Sequence, residues 1–126
     1  MLLLVDSSVL IDHLRGFGPA VARLKVAVDA GDELWSVTVV RSEILAGARP
    51  AEEESITRLL GGLQWLDVSS ELADAAGRLA STYLRSHPGV DTVDYLIAAG
   101  AQHLGAEVLT LNVRHFPMFP SLHSAY

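Results

Sequence analysis

A chain of 126 residues with 50% hydrophobic and only 6% aromatic residues has enough apolar surface for one folded domain, which excludes a disordered protein. Its 15 acidic residues outnumber the nine basic ones, which argues against a broad basic surface for nucleic acid and leaves bound metal ions as a local route to such a partner. Cysteine is absent, which excludes disulfides, thiolate metal sites and cysteine nucleophiles and fits a cytoplasmic protein.

Short apolar runs alternate with segments of helical periodicity along the whole chain. LLLV at 2–5 is typical of a strand buried on both faces, and the acids that follow Pro50 are typical of the first turn of a helix. The tail from residue 112 to 126 predicts a loop with one short turn or an edge strand. In chain order the predicted elements are strand 2–5, helix 9–16, helix 20–31, strand 33–37, helix 38–48, a helix from Pro50 to Gly61 or Gly62 that begins with Glu52, Glu53 and Glu54, strand 64–68, helix 71–87, helix 92–105 and strand 107–111.

The alternation of strands and helices, without an internal repeat or linker, predicts one α/β domain over residues 1–126. We expect a mainly parallel sheet of four or five strands with helices on its faces. No stretch of about 18 uninterrupted apolar residues occurs, so we expect neither a membrane span nor a targeting segment. The helices at 9–31 and 38–62 carry more apolar residues than a small sheet covers, which favours a homodimer.

Three acidic side chains fall where such a fold binds ligands, at the carboxyl ends of the strands. Asp6 directly follows the first strand, Glu43 lies in the helix after the second, and Asp94 lies in the first turn of the helix before the last strand. Carboxylates about 4 Å apart repel by about 4 kcal/mol at an effective dielectric of about 20, so three together take up protons or hold a cation. Oxygen ligands favour Mg²⁺ or Mn²⁺, and the implied chemistry is phosphodiester hydrolysis.

Three segments, VDSSVLIDHLRG, SEILAG and DYLIAAGAQHLGAEVLTLNVRHF, resemble in order and spacing the motif blocks of PIN-domain toxins of the VapC type. The resemblance spans nearly the whole chain and implies a three-layer PIN-like fold with magnesium-dependent endoribonuclease activity on RNA. It also implies a homodimer and a small VapB-like antitoxin that occludes the site, in a toxin–antitoxin hetero-oligomer. By motif, Asp6, Glu43 and Asp94 correspond to the family's metal ligands, and Ser7 or Ser8 to the hydroxyl residue that orients the first of them.

The last motif block departs from the family pattern. The family usually carries an aspartate three residues after T-x-N or T-x-D, and this chain has His115 there. Asn112 directly follows the last predicted strand and offers an amide oxygen to the metal or to its water, but the smaller negative charge disfavours a second metal. We interpret His115 as a histidine at the rim of the site, with Mn²⁺ coordination or proton transfer as its alternative roles.

Other polar and aromatic residues near these motifs have plain structural interpretations. Asp91 is interpreted as the cap of the helix that holds Asp94, and Asp12 as a solvated helix acid. Trp35 and Trp65 lie on predicted strands and are interpreted as core residues. The arginines interpreted as ordinary surface residues, with RNA phosphates as the alternative, are Arg15, Arg41 and Arg114.

Two functions of other classes compete with a nuclease. A non-catalytic module that binds RNA or a partner protein through an acidic groove would account for His115 in place of an acid. A phosphoryl-aspartate enzyme or receiver would use Asp6 as its nucleophile. The chain lacks the aspartate two residues later that one such site uses, and its only lysine, Lys25, is far from the last strand, so we rank this function last.

Overall fold

Four short parallel strands form the central sheet of the computed structural model, which describes residues 1–126. The strands are β1 (Leu2–Val5), β2 (Glu33–Val37), β3 (Gln64–Leu66) and β4 (Glu107–Leu109). Their order across the sheet is β3-β2-β1-β4, and each neighbouring pair is parallel. The expected parallel α/β sheet is therefore confirmed, with four strands.

Six helices cover the two faces of this sheet. They are α1 (Ser7–Leu14), α2 (Gly18–Asp29), α3 (Thr38–Ala46), α4 (Glu53–Gly61), α5 (Ser70–Tyr83) and α6 (Thr92–Leu104). No helix is both long enough and apolar enough to span a membrane. Connections between parallel strands are right-handed, so the direction in which the chain moves across the sheet decides which face a connecting helix covers. The chain moves one way from β1 to β2 to β3, which puts α1 to α4 on one face. It returns across the sheet to β4, which puts α6 on the other face.

Alternating strand residues face these two helical layers. Gly100 of α6 sits on the sheet so closely that a Cβ there would lie 3.0 Å from Val37, 3.2 Å from Leu4 and 3.3 Å from Leu66. The missing side chain of glycine permits that approach without displacing the neighbouring side chains. On the opposite face, the indole nitrogen of Trp65 donates to the Leu60 carbonyl oxygen of α4 at 2.9 Å.

Several element boundaries differ from those predicted. The first helix begins at Ser7 and not at residue 9, because the Asp6 carboxylate caps it by accepting from the Ser7 backbone N–H at 2.8 Å. The tail forms a single 3₁₀ turn and no edge strand, and its Ala125 N–H donates to the Thr110 carbonyl oxygen at 2.9 Å. Other differences are α1 ending at Leu14, α2 spanning Gly18–Asp29, α3 ending at Ala46, a 3₁₀ turn at Pro50–Glu52 before α4, α5 ending at Tyr83, and β3 and β4 ending at Leu66 and Leu109.

The direction of chain progression across the sheet changes between β1 and β4. In parallel sheets a crevice opens at the carboxyl ends of the strands at such a point. Val5 of β1 is paired with Leu109 of β4, and the next residue, Asp6, donates its backbone N–H to the Leu109 carbonyl oxygen at 2.9 Å. The side chains of Asp6 and Thr110 consequently meet in this crevice.

Candidate active site

Asp6 is the most buried acid of the crevice, with 3% of its surface exposed. Its Oδ1 accepts from the Ser7 backbone N–H at 2.8 Å, and its Oδ2 accepts from Ser8 Oγ at 3.1 Å and Thr110 Oγ1 at 2.7 Å. A buried carboxylate without partners costs several kcal/mol, so these three donors are what permits an acid at the end of a buried strand.

The two hydroxyls that contact Asp6 are themselves held in place. Ser8 Oγ accepts from the Leu111 backbone N–H at 3.2 Å, and Thr110 Oγ1 accepts from the Asn112 backbone N–H at 2.9 Å. Since each hydroxyl accepts from an amide, its proton is free to point at the carboxylate. The segment after β4 thus holds Asp6 through two bridging hydroxyls.

Of the predicted supporting residues, Ser8 uses the expected hydroxyl, whereas Ser7 and Asn112 contribute backbone N–H groups. Ser8 orients Asp6 with its hydroxyl, whereas Ser7 does so with its backbone N–H. Asn112 contributes its backbone N–H, and its exposed side chain forms no hydrogen bond within the protein. The sequence does not indicate Thr110 as a site residue, because the predicted strand at 107–111 includes it, whereas β4 ends at Leu109.

Glu43 lies on α3 at the exposed side of the same crevice. Partial burial raises the pKa of its carboxyl, and the negative charges of Asp6 and Asp91 raise this pKa further, while a hydrogen bond from the Ser7 side chain lowers it. Glu43 therefore lies close enough to both aspartates to sense their charge.

Asp94 opens α6 and is 7% exposed. It forms a reciprocal cap with Asp91: Asp94 Oδ2 accepts from the Asp91 N–H at 3.1 Å, and Asp91 Oδ1 accepts from the Asp94 N–H at 3.0 Å. The interpretation of Asp91 as the cap of this helix is confirmed. Burial raises the pKa of Asp94 to about 6, and the Asp91 charge adds to the rise, whereas the Asp91 backbone N–H and His115 oppose it.

The donor atoms of this crevice fit a hard divalent cation. They are carboxylate oxygens, and the raised pKa values of Glu43 and Asp94 reflect first desolvation and then repulsion from neighbouring aspartates, both of which a cation would relieve. In the structure no three histidine, aspartate or glutamate side chains lie close enough together to hold one metal ion. Shared ligation by Asp6, Glu43 and Asp94 remains a prediction that requires these side chains to move closer.

Two of the other candidate residues have partners outside the crevice. Arg15 forms an ion pair with Glu52, and the Arg41 guanidinium lies over the Trp65 ring at 4.7 Å. Arg114 is exposed and forms no ion pair. His115 does not stand alone at the rim, since its Nδ1 lies 3.2 Å from Asp94 Oδ2.

Two interpretations from the sequence require correction. Asp12 is not a fully solvated helix acid: it is half-buried, and its Oδ2 accepts from the Tyr126 hydroxyl at 2.8 Å because the tail returns to α1. Trp35 and Trp65 are half-buried and not fully enclosed in the core. Trp65 packs against the core from the edge strand β3, and the Arg41 guanidinium lies over its ring.

Comparisons with known proteins agree with this architecture. A family model described as PIN domain matches residues 3–118. The chain is 43% identical over 123 residues to ribonuclease VapC19 of Mycobacterium tuberculosis, covering 98% of each protein. Among solved structures it resembles VapBC2 from Rickettsia felis bound to a DNA fragment from their promoter (TM-score 0.81, 17% identity, 97% of this chain and 96% of that one) and a toxin–antitoxin complex from Klebsiella pneumoniae (TM-score 0.75, 25% identity, 98% of both).

Proposed function

Because this chain belongs to the PIN-domain family and to its VapC members, we propose that it is a divalent-metal-dependent endoribonuclease, the toxin of a toxin–antitoxin pair. The observation that supports the proposal is the buried Asp6 at the point where the sheet changes direction, with Glu43 near Asp6 and Asp91, and with Asp91 forming a reciprocal cap with the buried Asp94. A catalytic crevice is expected at that point of a parallel sheet, and carboxylates that perturb each other there are typical of a functional site.

In this proposal Asp6, Glu43 and Asp94 hold Mg²⁺, or Mn²⁺ as a substitute. The bound cation supplies Lewis-acid chemistry, since it polarises a phosphoryl oxygen and makes water more acidic. Ser8 and Thr110 keep the Asp6 carboxylate oriented through the hydrogen bonds described above, at no cost in reorganisation during the reaction. Arg114, exposed and without an acidic partner, is the arginine best placed to contact RNA phosphates near the acids.

Exposed apolar residues on α2 and α3 support the part of this proposal in which the chain binds other proteins. Val21 and Val28 of α2 are exposed, and they line a groove whose other wall is formed by Leu59 of α4 and the following Leu63. A small VapB-like antitoxin and a second copy of the chain are the partners we propose for such surfaces, with Leu45 of α3 as a further exposed apolar residue. The proposed place of action is the cytoplasm, where RNA substrates occur.

Cleavage of RNA by the purified protein, freed of antitoxin, tests the proposed activity. We expect cleavage with Mg²⁺ or Mn²⁺ and no cleavage with EDTA. In Asp6→Asn we expect a loss of rate of about a hundredfold or more, because an NH₂ group that cannot bind a cation or accept a hydrogen bond replaces one carboxylate oxygen. The matched control is Asp74→Asn on the exposed surface of α5, for which we expect the wild-type rate. Equal rates for Asp6→Asn and the wild type would contradict the proposal.

A non-catalytic module is the second candidate, favoured by the histidine at position 115. Its signature would be binding of Mn²⁺ or of a partner protein together with no cleavage of any structured RNA in a broad panel. Calorimetry for the metal and end-mapping of the RNA products separate the two functions, because only a nuclease generates new RNA ends.

A further inference from the structure

The segment that follows β4 contacts both buried acids of the crevice. Its first residue, Thr110, donates to Asp6 Oδ2 at 2.7 Å, and five residues later His115 places Nδ1 3.2 Å from Asp94 Oδ2. The segment contains no acid of its own. It therefore brings a hydroxyl donor to Asp6 and an imidazole to Asp94, and no acidic side chain to the crevice.

His115 projects from a well-anchored turn. Its backbone N–H donates to the Asn112 carbonyl oxygen at 2.9 Å, and the next residue, Phe116, is 1% exposed and donates to the Val113 carbonyl oxygen at 3.1 Å. The imidazole side chain is 40% exposed, and its Nε2 has no hydrogen-bond partner in the protein. The anchored backbone restricts the position from which the imidazole reaches Asp94.

The two oxygens of Asp94 have different surroundings. Oδ2 accepts a hydrogen bond from the Asp91 backbone N–H at 3.1 Å and lies 3.2 Å from His115 Nδ1, whereas Oδ1 accepts no hydrogen bond from the protein. The terminal torsion of an aspartate is broad and roughly two-fold, so one donor alone holds its carboxylate loosely. Both the Asp91 N–H and the His115 imidazole contact Oδ2, so the contacts that restrict the carboxylate lie on one oxygen and leave Oδ1 available.

We propose that His115 is a positioning residue of the metal site, whose Nδ1–H orients Asp94 so that Oδ1 is presented to the cation. The inference rests on the proposed function, in which Asp94 is a metal ligand. Partners that orient ligands in this way typically change metal affinity by about 10- to 100-fold when removed. The residue at position 115 thus supports a ligand in this chain and does not itself supply a fourth acid.

Calorimetric titration of metal-free protein with Mn²⁺, without RNA, tests this role. His115→Leu removes the donor, and we expect its Mn²⁺ affinity to fall by about tenfold or more. His115→Asn keeps an N–H donor near the position of Nδ1 while it removes Nε2, and we expect an affinity within about threefold of the wild type. His123→Leu, at an exposed histidine of the tail, is the matched control and should bind Mn²⁺ as the wild type does.

A second measurement does not depend on any variant folding correctly. Imidazole ¹⁵N chemical shifts of the wild type should show Nδ1 of His115 protonated, because a donor to Asp94 requires that tautomer. A neutral ring protonated at Nε2 alone would overturn the inference, as would wild-type Mn²⁺ affinity in His115→Leu.

The proposed function and the role of His115 fail in different ways. Equal weakening in His115→Asn and His115→Leu would overturn the positioning role, since it would mean that the imidazole itself is required. A wild type that binds Mn²⁺ and cleaves RNA, beside a His115→Leu variant of unchanged affinity, overturns only the role of His115. A wild type that binds no Mn²⁺ overturns both.

Discussion

Asp6 and Asp94 are both buried acids of one crevice, but the protein holds them differently. Asp6 has donors on both carboxylate oxygens and bridges β1 to the segment after β4. Asp94 accepts one hydrogen bond, on Oδ2, which also lies 3.2 Å from His115 Nδ1; it lies beside a second carboxylate and has a pKa raised to about 6 by burial. Asp6 is thus part of the framework that closes the sheet, whereas the charge of Asp94 is a cost that the folded protein tolerates.

If Asp6 belongs to the framework, removing one of its donors should destabilise the fold. Thr110→Val keeps the shape of the side chain but removes a hydroxyl that donates to Asp6 and accepts from the Asn112 N–H. We expect the free energy of unfolding to fall by about 1 to 3 kcal/mol, because the buried Asp6 carboxylate and the partly buried Asn112 N–H each lose a partner. Urea denaturation measures this change.

The matched control for Thr110→Val is Thr82→Val, at an exposed threonine of α5 whose hydroxyl bonds only to a carbonyl of its own helix. We expect a change within about 0.5 kcal/mol there. If Thr110→Val were as mild as Thr82→Val, the hydrogen bonds to Asp6 would not be structural.

If the charge of Asp94 is a cost, its removal should stabilise the protein at high pH. The pKa of Asp94 is raised on folding, so the folded chain binds the extra proton, and the free energy of unfolding falls as pH rises from about 4 to about 6. Asp94→Asn keeps the acceptor for the Asp91 N–H without the charge. In EDTA at a pH of about 8, we expect Asp94→Asn to be more stable than the wild type by about 1 to 3 kcal/mol, a gain that vanishes near a pH of about 4.

Denaturation of the wild type and of Asp94→Asn at these two pH values measures the difference. The account would fail if Asp94→Asn were less stable than the wild type at both, since its buried carboxylate would then stabilise the fold.

A third acid, Asp12, sets the lower end of the comparison. It is half-buried and accepts one hydrogen bond, from Tyr126, whose ring also lies 6.0 Å from that of Phe17. Burial raises the pKa of the Tyr126 hydroxyl, and its bond to Asp12 raises it further. We expect Tyr126→Phe to lower the free energy of unfolding by less than about 1 kcal/mol, because water replaces the lost donor at Asp12. A thermal melt detects a larger loss, which would make the tail a structural clamp.

Sequence reasoning predicted the parts of the site that local patterns encode. An apolar run that meets an aspartate marks the end of a buried strand, and two acids three residues apart before an apolar helix mark its cap, so Asp6 and the Asp91–Asp94 pair were found. The order of strands and helices was equally local information, and it was enough to predict the parallel sheet.

Contacts between distant segments were not predictable in the same way. Thr110 reaches Asp6 across 104 positions of sequence, and that contact exists only because Val5 pairs with Leu109. The one sequence feature that indicates this contact is that Asp6 and Thr110 each directly follow an apolar strand. The contact between His115 and Asp94 depends on a 3₁₀ turn and on the packing of Phe116, which no periodicity encodes.

Anomalous scattering from crystals of the protein grown with Mn²⁺ locates the cation that the proposed mechanism requires. We expect one strong peak within ligand distance of carboxylate oxygens of Asp6, Glu43 and Asp94, with the Asp94 oxygen being Oδ1. A peak at other residues, or none at saturating Mn²⁺, would contradict the proposed metal site and with it the nuclease mechanism.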